Sequence, residues 1–190
     1  QQAGCDLVIA VGGGSVIDIA KSIHLLAAQP GEAEKYITKE LTPFHKPKPF
    51  IAIPTTAGTG SEATHFAVIY IEKVKYSLDH KEWMIPQYVF LDPAFTLGLP
   101  KHITASTGID GLCQAVESYW STQSTEESKK YARQAITLIL NNLVPAVHKP
   151  SLQNREAMLQ GANLAGKAIN ISKTTACHSV SYPITSYFGV

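Results

Sequence analysis

Apolar positions follow two different rhythms along this chain, and the change comes near residue 98. In the first part, short unbroken apolar runs alternate with helical spacing. Asp6 to Val11 reads Asp-Leu-Val-Ile-Ala-Val, a β-branched run that suits a parallel strand buried on both faces. From Val16 to Ala28 the apolar residues recur at helical spacing, and Pro30-Gly31 ends that helix. A polar stretch dotted with prolines runs from Glu32 to Pro49. Phe50 to Pro54 predicts a second buried strand, and Thr55 to Thr64 a loop of small residues. Phe66 to Ile71 predicts a third strand and Tyr88 to Leu91 a fourth. Strands separated by helix or loop in this way argue for an open α/β sheet.

After Leu97-Gly98-Leu99-Pro100 the strand signals stop. Thr104 to Ser121, Thr125 to Leu143, Gln153 to Ile171 and Thr174 to Tyr187 read as helices, broken at Pro145, Pro150 and Ser172. The expectation is an α/β part over residues 1–98 and an all-helical part over residues 99–190. No internal repeat or low-complexity tract interrupts this plan.

Composition narrows the picture by exclusion. Of 190 residues, 45% are hydrophobic and 16% charged, which fits a globular interior and not a disordered chain. Sixteen Lys and Arg against 15 Asp and Glu give a net charge of +1, too little to draw the protein to nucleic acid or an anionic membrane. No apolar run reaches the ~18 residues of a spanning helix. Three cysteines, Cys5, Cys113 and Cys177, argue against a disulfide scaffold and for a reducing cytoplasm. The chain opens at Gln1 without a signal-like segment and closes at Val190 in mid-pattern, so it reads as an internal piece of a longer protein.

Three groups of residues carry candidate chemistry. Gly12-Gly13-Gly14-Ser15 joins a strand to a helix that carries Asp18 and Lys21. Such a turn lets backbone N–H groups approach a phosphate at a helix N-terminus, although a tight turn without a ligand has the same residues. Pro54-Thr55-Thr56-Ala57-Gly58-Thr59-Gly60-Ser61-Glu62 follows a buried strand, where α/β sheets bind ligands, although by itself it reads more readily as a plain Ser/Thr/Gly loop. In the helical part, Asp110 and Gln114 are four residues apart and share a helix face, with Glu117 on a similar face. His178 lies in the last helix, with Tyr182 four residues on. These oxygens and the imidazole could converge on a divalent metal. Equally, Asp110 could start a helix, Gln114 could be a surface amide and His178 an interhelical histidine. Cys113 and Cys177, beside these positions, read as small core residues.

Together these segments resemble the iron-containing (type III) alcohol dehydrogenase family. Gly12 to Lys21 matches its GGGSxxDxAK segment, and Pro54 to Glu62 its PTTAGTGSE segment. Asp92-Pro93 to Pro100 matches its DP…LP strand end, and Thr107 to Leu112 its TGxDAL helix. The resemblance covers the whole chain but about half of a family member. It implies the family's two-domain plan, shared with dehydroquinate synthases: the later part of a Rossmann-like dinucleotide-binding domain, then the earlier part of a helical metal-binding domain.

It also implies roles. Gly13, Gly14, Ser15 and Asp18 would serve the pyrophosphate of NAD or NADP. Thr55, Thr56, Thr59, Thr64 and Phe66 would line the cofactor cleft, with Lys75 as the cofactor-side lysine. One divalent metal (iron, alternatively zinc or manganese) would be held by Asp110 and His178. Gln114 stands where the family has its first metal histidine, and the last would follow Val190. Tyr182 stands where many members carry another histidine. Residues 121–128 and 168–176 look most like the phosphonoacetaldehyde reductase branch, which Gln114 also suits. A phosphonate would need cations, and Lys173 and His178 are neighbours for it.

The activity implied is hydride transfer between a nicotinamide and a small alcohol or aldehyde, in a parent that assembles with copies of itself. Tyr182 or Thr59 would be the candidates to relay the proton. Two other readings stand beside it: a degenerate relative that binds dinucleotide without catalysis, favoured by Gln114, and a phosphate-eliminating synthase. The latter shares the glycine turn but not the threonine-rich loop.

Overall fold

The computed structural model describes residues 4–72 and 74–188. Along the chain run β1 (Val8–Gly12), α1 (Gly14–Leu26), α2 (Ala33–Ile37), β2 (Phe50–Pro54), a 3-10 turn (Ser61–Ala63), β3 (Phe66–Ile71) and β4 (Val74–Asp79). Then come β5 (Tyr88–Val89), α3 (Ala94–Leu97), α4 (Lys101–Trp120), α5 (Glu126–His148), α6 (Leu152–Ser172) and α7 (Ala176–Phe188). The first part is a Rossmann-like parallel sheet with strand order β1-β2-β5. Val8 pairs with Phe50 and Gly12 with Pro54, so the glycine turn and the threonine loop leave the sheet side by side. Ala10, Ile17, Phe50 and Ala52 form the core between this sheet and α1.

The strand expected at Phe66 to Ile71 exists but does not join the parallel sheet. It pairs antiparallel with β4, Phe66 opposite Asp79 and Ile71 opposite Val74. The reason is the connection: a parallel return needs a dozen or more residues, usually helical. Between β2 and β3 lie only residues 55–65, with a single 3-10 turn. The hairpin instead lies over α1 and buries Ala67 and Leu78 against Leu25 and Met84. The short helix α2 within the polar stretch was not expected either.

The helical part packs through small residues. Ala115, Ala135 and Ala165 meet where α4, α5 and α6 approach closely, and Ile139, Met158 and Leu159 fill the space beyond. Helices α5 and α6 each begin with a reciprocal cap, Thr125 with Ser128 and Ser151 with Asn154. Pro145 does not break α5. It sits in the last turn, where its missing N–H removes one bond, and Lys149 N–H still reaches the Pro145 carbonyl at 2.8 Å. Pro183 likewise lies inside α7. Of the cysteines expected in the core, Cys177 is exposed and Cys113 half-buried. Both, and Cys5, are free. Among the described residues no helix is long and apolar enough to cross a membrane.

Candidate functional site

The glycine turn and the threonine loop fit together backbone to side chain. Helix α1 starts at Gly14 with Gly13 as its cap, and no side chain caps its N–H groups. A Cβ on Gly14 would stand 2.5 Å from Thr59, and one on Gly13 3.3 Å from Thr56. Gly14 is thus required by the threonine packed over it, Gly13 is tight against its own, and Gly12 is crowded by Val16. Thr55 N–H is bonded to the Gly12 carbonyl at 2.9 Å, and Ser15 is exposed on the open first turn.

The same loop is welded to the helices on its other side. A side chain on Gly58 would collide with the Thr107 carbonyl on α4. Gly60, at φ +60°, faces Gly166 on α6 so closely that a Cβ on it would lie 2.5 Å from Gly166 Cα. The loop therefore spans from the open end of α1 to the turn of α4 just before Asp110.

Two of the expected cofactor residues, Asp18 and Thr64, are engaged by the protein itself. One Asp18 oxygen accepts from the Ser61 hydroxyl and the other from Val68 N–H at 2.9 Å. Lys21 is fully buried and donates to Thr64 O at 2.7 Å, Thr64 Oγ1 at 2.9 Å and Phe66 O at 2.9 Å. Burial pulls its pKa to about 8, against the opposing pull of Asp18 and Glu62. Asp18 and Thr64 thus fasten β3 to α1. Glu62 is buried beside them, where loss of water raises its pKa and Asn163 donates to it at 3.0 Å.

Asp110, Gln114 and His178 come together across α4 and α7. His178 Nε2 lies 3.3 Å from Asp110 Oδ1, and its Nδ1 lies 2.5 Å from Glu117 Oε1. Hydrogen bonding with Asp110, then with Glu117, raises the His178 pKa against the effect of burial. Burial alone would raise the Glu117 pKa, but bonds from His178 and Thr175 outweigh it and hold the carboxyl below its usual range. Gln114 Nε2 donates to Asp110 Oδ2 at 3.1 Å, which leaves Gln114 Oε1 buried with no donor. Among the described residues no three His, Cys, Asp or Glu side chains are grouped to hold a metal. The groups that come together are mixed instead: a carboxylate, a side-chain amide and an imidazole. A divalent cation would satisfy the orphaned amide oxygen, so the set fits one.

A cavity of about 440 Å³ adjoins this cluster, lined in part by Phe66, Lys75, Lys173, Thr174 and Tyr182. The Tyr182 ring lies 6.4 Å from that of His178, and Lys75 Nζ lies 2.7 Å from its centroid. Burial lowers the Lys75 pKa to about 8, against the nearby Asp18. Lys173, in the left-handed region at φ 63°, reaches His65 Nε2 at 3.0 Å. Burial raises the Tyr182 pKa, and the Thr59 side chain packs on Gly14. Sequence reasoning did not single out the hairpin strand that carries Lys75 or the contacts of Glu117.

Comparison with known proteins places this geometry. Residues 1–93 match the iron-containing alcohol dehydrogenase model, and residues 104–190 match the C-terminal model of the Fe-containing alcohol dehydrogenase family. The chain belongs to the iron-containing alcohol dehydrogenase family. It is 42% identical over 187 residues to the probable alcohol dehydrogenase EutG of Escherichia coli, covering 96% of this chain and 46% of that one. It is 34% identical to the phosphonoacetaldehyde reductase of Streptomyces viridochromogenes, covering 97% of this chain and 49% of that one. The crystal structure of sulfoacetaldehyde reductase from Bifidobacterium kashiwanohense, in complex with NAD+, superposes with a TM-score of 0.93 at 35% identity. It covers 98% of this chain and 50% of that one. The chain spans about half the length of the curated relatives it matches.

Proposed function

We propose that the protein, at the full length of its relatives, is a metal-dependent, NAD(P)-linked alcohol dehydrogenase or aldehyde reductase acting on a small substrate. The observation that carries this reading is the meeting of Asp110, Gln114 and His178, one loop away from the uncapped end of α1. Residues 1–98 are then the nucleotide-binding side and residues 99–190 the metal side of a cleft.

Asp110, His178 and the orphaned Gln114 amide would hold the metal, which supplies Lewis acidity towards a substrate oxygen. Gly13, Gly14 and Ser15 would offer their backbone N–H groups to the dinucleotide, whose nicotinamide supplies the hydride chemistry. Thr55 and Thr56 would border it, and Lys75 would lend it positive charge. The remaining work falls to the protein's fixed groups. The threonine loop sets the distance between the two sides, and the lysines of the cleft set its charge.

The substrate best suited to that charge is a short aldehyde bearing an anionic group, as in phosphonoacetaldehyde. Lys75 and Lys173 line the cavity beside His178 together with Asp79, whose carboxylate is paired with Lys39, and among the described residues no ion pair joins either of the two lysines to a carboxylate. The names of two relatives, a phosphonoacetaldehyde reductase and a sulfoacetaldehyde reductase, point the same way. Free thiols at Cys5, Cys113 and Cys177 fit a reducing cytoplasm.

The test is metal content and aldehyde-dependent oxidation of NADH and NADPH by the full-length protein. Phosphonoacetaldehyde would be compared with uncharged aldehydes of similar length. One bound divalent metal with turnover is expected, faster on the anionic aldehyde. A folded protein that binds dinucleotide but neither keeps metal nor turns over would instead establish a non-catalytic relative, with Gln114 as the mark of lost chemistry.

A further inference from the structure

Glu117 is 1% exposed, and both of its oxygens are engaged. Oε1 lies 2.5 Å from His178 Nδ1. Oε2 accepts from Thr175 N–H at 2.5 Å and from the Thr175 hydroxyl at 2.8 Å. That hydroxyl in turn accepts from Trp120 Nε1 at 3.0 Å. The carboxylate is therefore clamped by donors just ahead of α7, which are themselves tied to the end of α4. With no water to compete and no freedom to turn, it presents one oxygen to one imidazole nitrogen.

A neutral imidazole, the form that binds a metal, carries its lone pair on Nε2 when it donates Nδ1–H to a carboxylate. In His178 that nitrogen is the one beside Asp110 Oδ1, at 3.3 Å. We infer that Glu117 is a positioning residue: it fixes the tautomer and the ring plane of His178 so that Nε2, and not Nδ1, faces the Asp110–Gln114 donors. Outer carboxylates of this kind raise the basicity of a ligating histidine and hold its orientation. The inference rests on the metal reading of the site. Its rival is that Glu117 only fastens the start of α7 through Thr175, in which case His178 is a bystander.

The two roles separate in a measurement on the intact protein that does not depend on turnover. Nitrogen NMR of 15N-histidine-labelled protein loaded with diamagnetic zinc should show His178 protonated at Nδ1 and metal-bound at Nε2. Metal titration against a competing chelator should show Glu117→Leu about 10–100-fold weaker than wild type. Glu117→Gln, whose amide oxygen still accepts from Nδ1–H, should lose less. Thr175→Val, which keeps the backbone donor, should lose only a few-fold.

Metal on Nδ1 of His178 overturns the inference even if no variant folds. So does Glu117→Leu with wild-type metal affinity, whatever its thermal midpoint. A wild-type protein that takes up no metal is a separate failure. It removes the metal reading of Asp110, Gln114 and His178, and the role of Glu117 with it.

Discussion

The two sides of the candidate cleft are held by opposite means. Where α1, the threonine loop and α6 meet, backbone lies against backbone. Gly60 and Gly166 leave no room for a side chain, and Gly14 is filled by Thr59. The polar groups at that seam are spoken for: Asp18 accepts two donors, and Lys21 finds three oxygens. Where α4 meets α7, the contact is charge on charge, and one acceptor, Gln114 Oε1, is left over. A seam with every polar atom matched fixes a shape. A cluster with an unused acceptor has room for one more bond.

The largest expected effect breaks the cluster while leaving the seam whole. Asp110→Asn removes the charged donor and should weaken metal retention beyond the ~100-fold typical of an outer partner. The thermal midpoint of the metal-free protein should stay within a few degrees. A large loss of stability instead would mean that Asp110 belongs to the scaffold.

The converse change is Gly60→Ala. It puts a Cβ at φ +60° into Gly166 and should cost about 3 kcal/mol in urea unfolding. A neutral result would show that the seam has slack. Lys21→Met strips the donor from three oxygens around Thr64 and Phe66, and should cost about 2 kcal/mol. An unchanged midpoint would mean water reaches those oxygens.

The smallest effect sharpens the contrast from within the α1 side. His24 packs edge-on against Phe50, and neither of its nitrogens has a partner. Burial lowers its pKa from 6.5 to about 4. The unfolded chain therefore takes up the proton first, and stability should fall as pH drops from 6.5 towards 4, by about 1–2 kcal/mol. Above pH 6.5 this contribution is flat. The slope should shrink in His24→Phe, and an equal slope there would assign it to other groups.

Much of this was legible in the residues. Val8 to Gly12 and Phe50 to Pro54 announce parallel strands because they are apolar throughout, although β1 is not buried on both faces as expected, since Ile9 and Val11 stay exposed; the long helices announce themselves by period. The partner of Phe66 to Ile71 was not legible. Val74–Asp79 reads Val-Lys-Tyr-Ser-Leu-Asp, with a single fully buried side chain, and the strand exists because β3 offers it an edge. Pro145 looked like a stop because its cost depends on its place in the last turn, which spacing does not reveal. In the site, Asp110, Gln114 and His178 were found by motif. The function of Asp18 as a brace for Ser61 and Val68 depends on partners 43 and 50 residues away, which no local pattern encodes.

The ties between the threonine loop and α6 also set an order of events in making the protein. Glu62 finds Asn163 across 101 positions, and His65 finds Asn170 across 105. Closing a loop of roughly 100 residues costs about 4 kcal/mol of chain entropy before any contact repays it. At synthesis rates of about 5–20 residues per second, the loop waits roughly 5–20 s for its partners to emerge. The α/β part thus leaves the ribosome with its threonine loop fastened to α1 but not yet to α6, and the cleft takes shape only when α6 arrives.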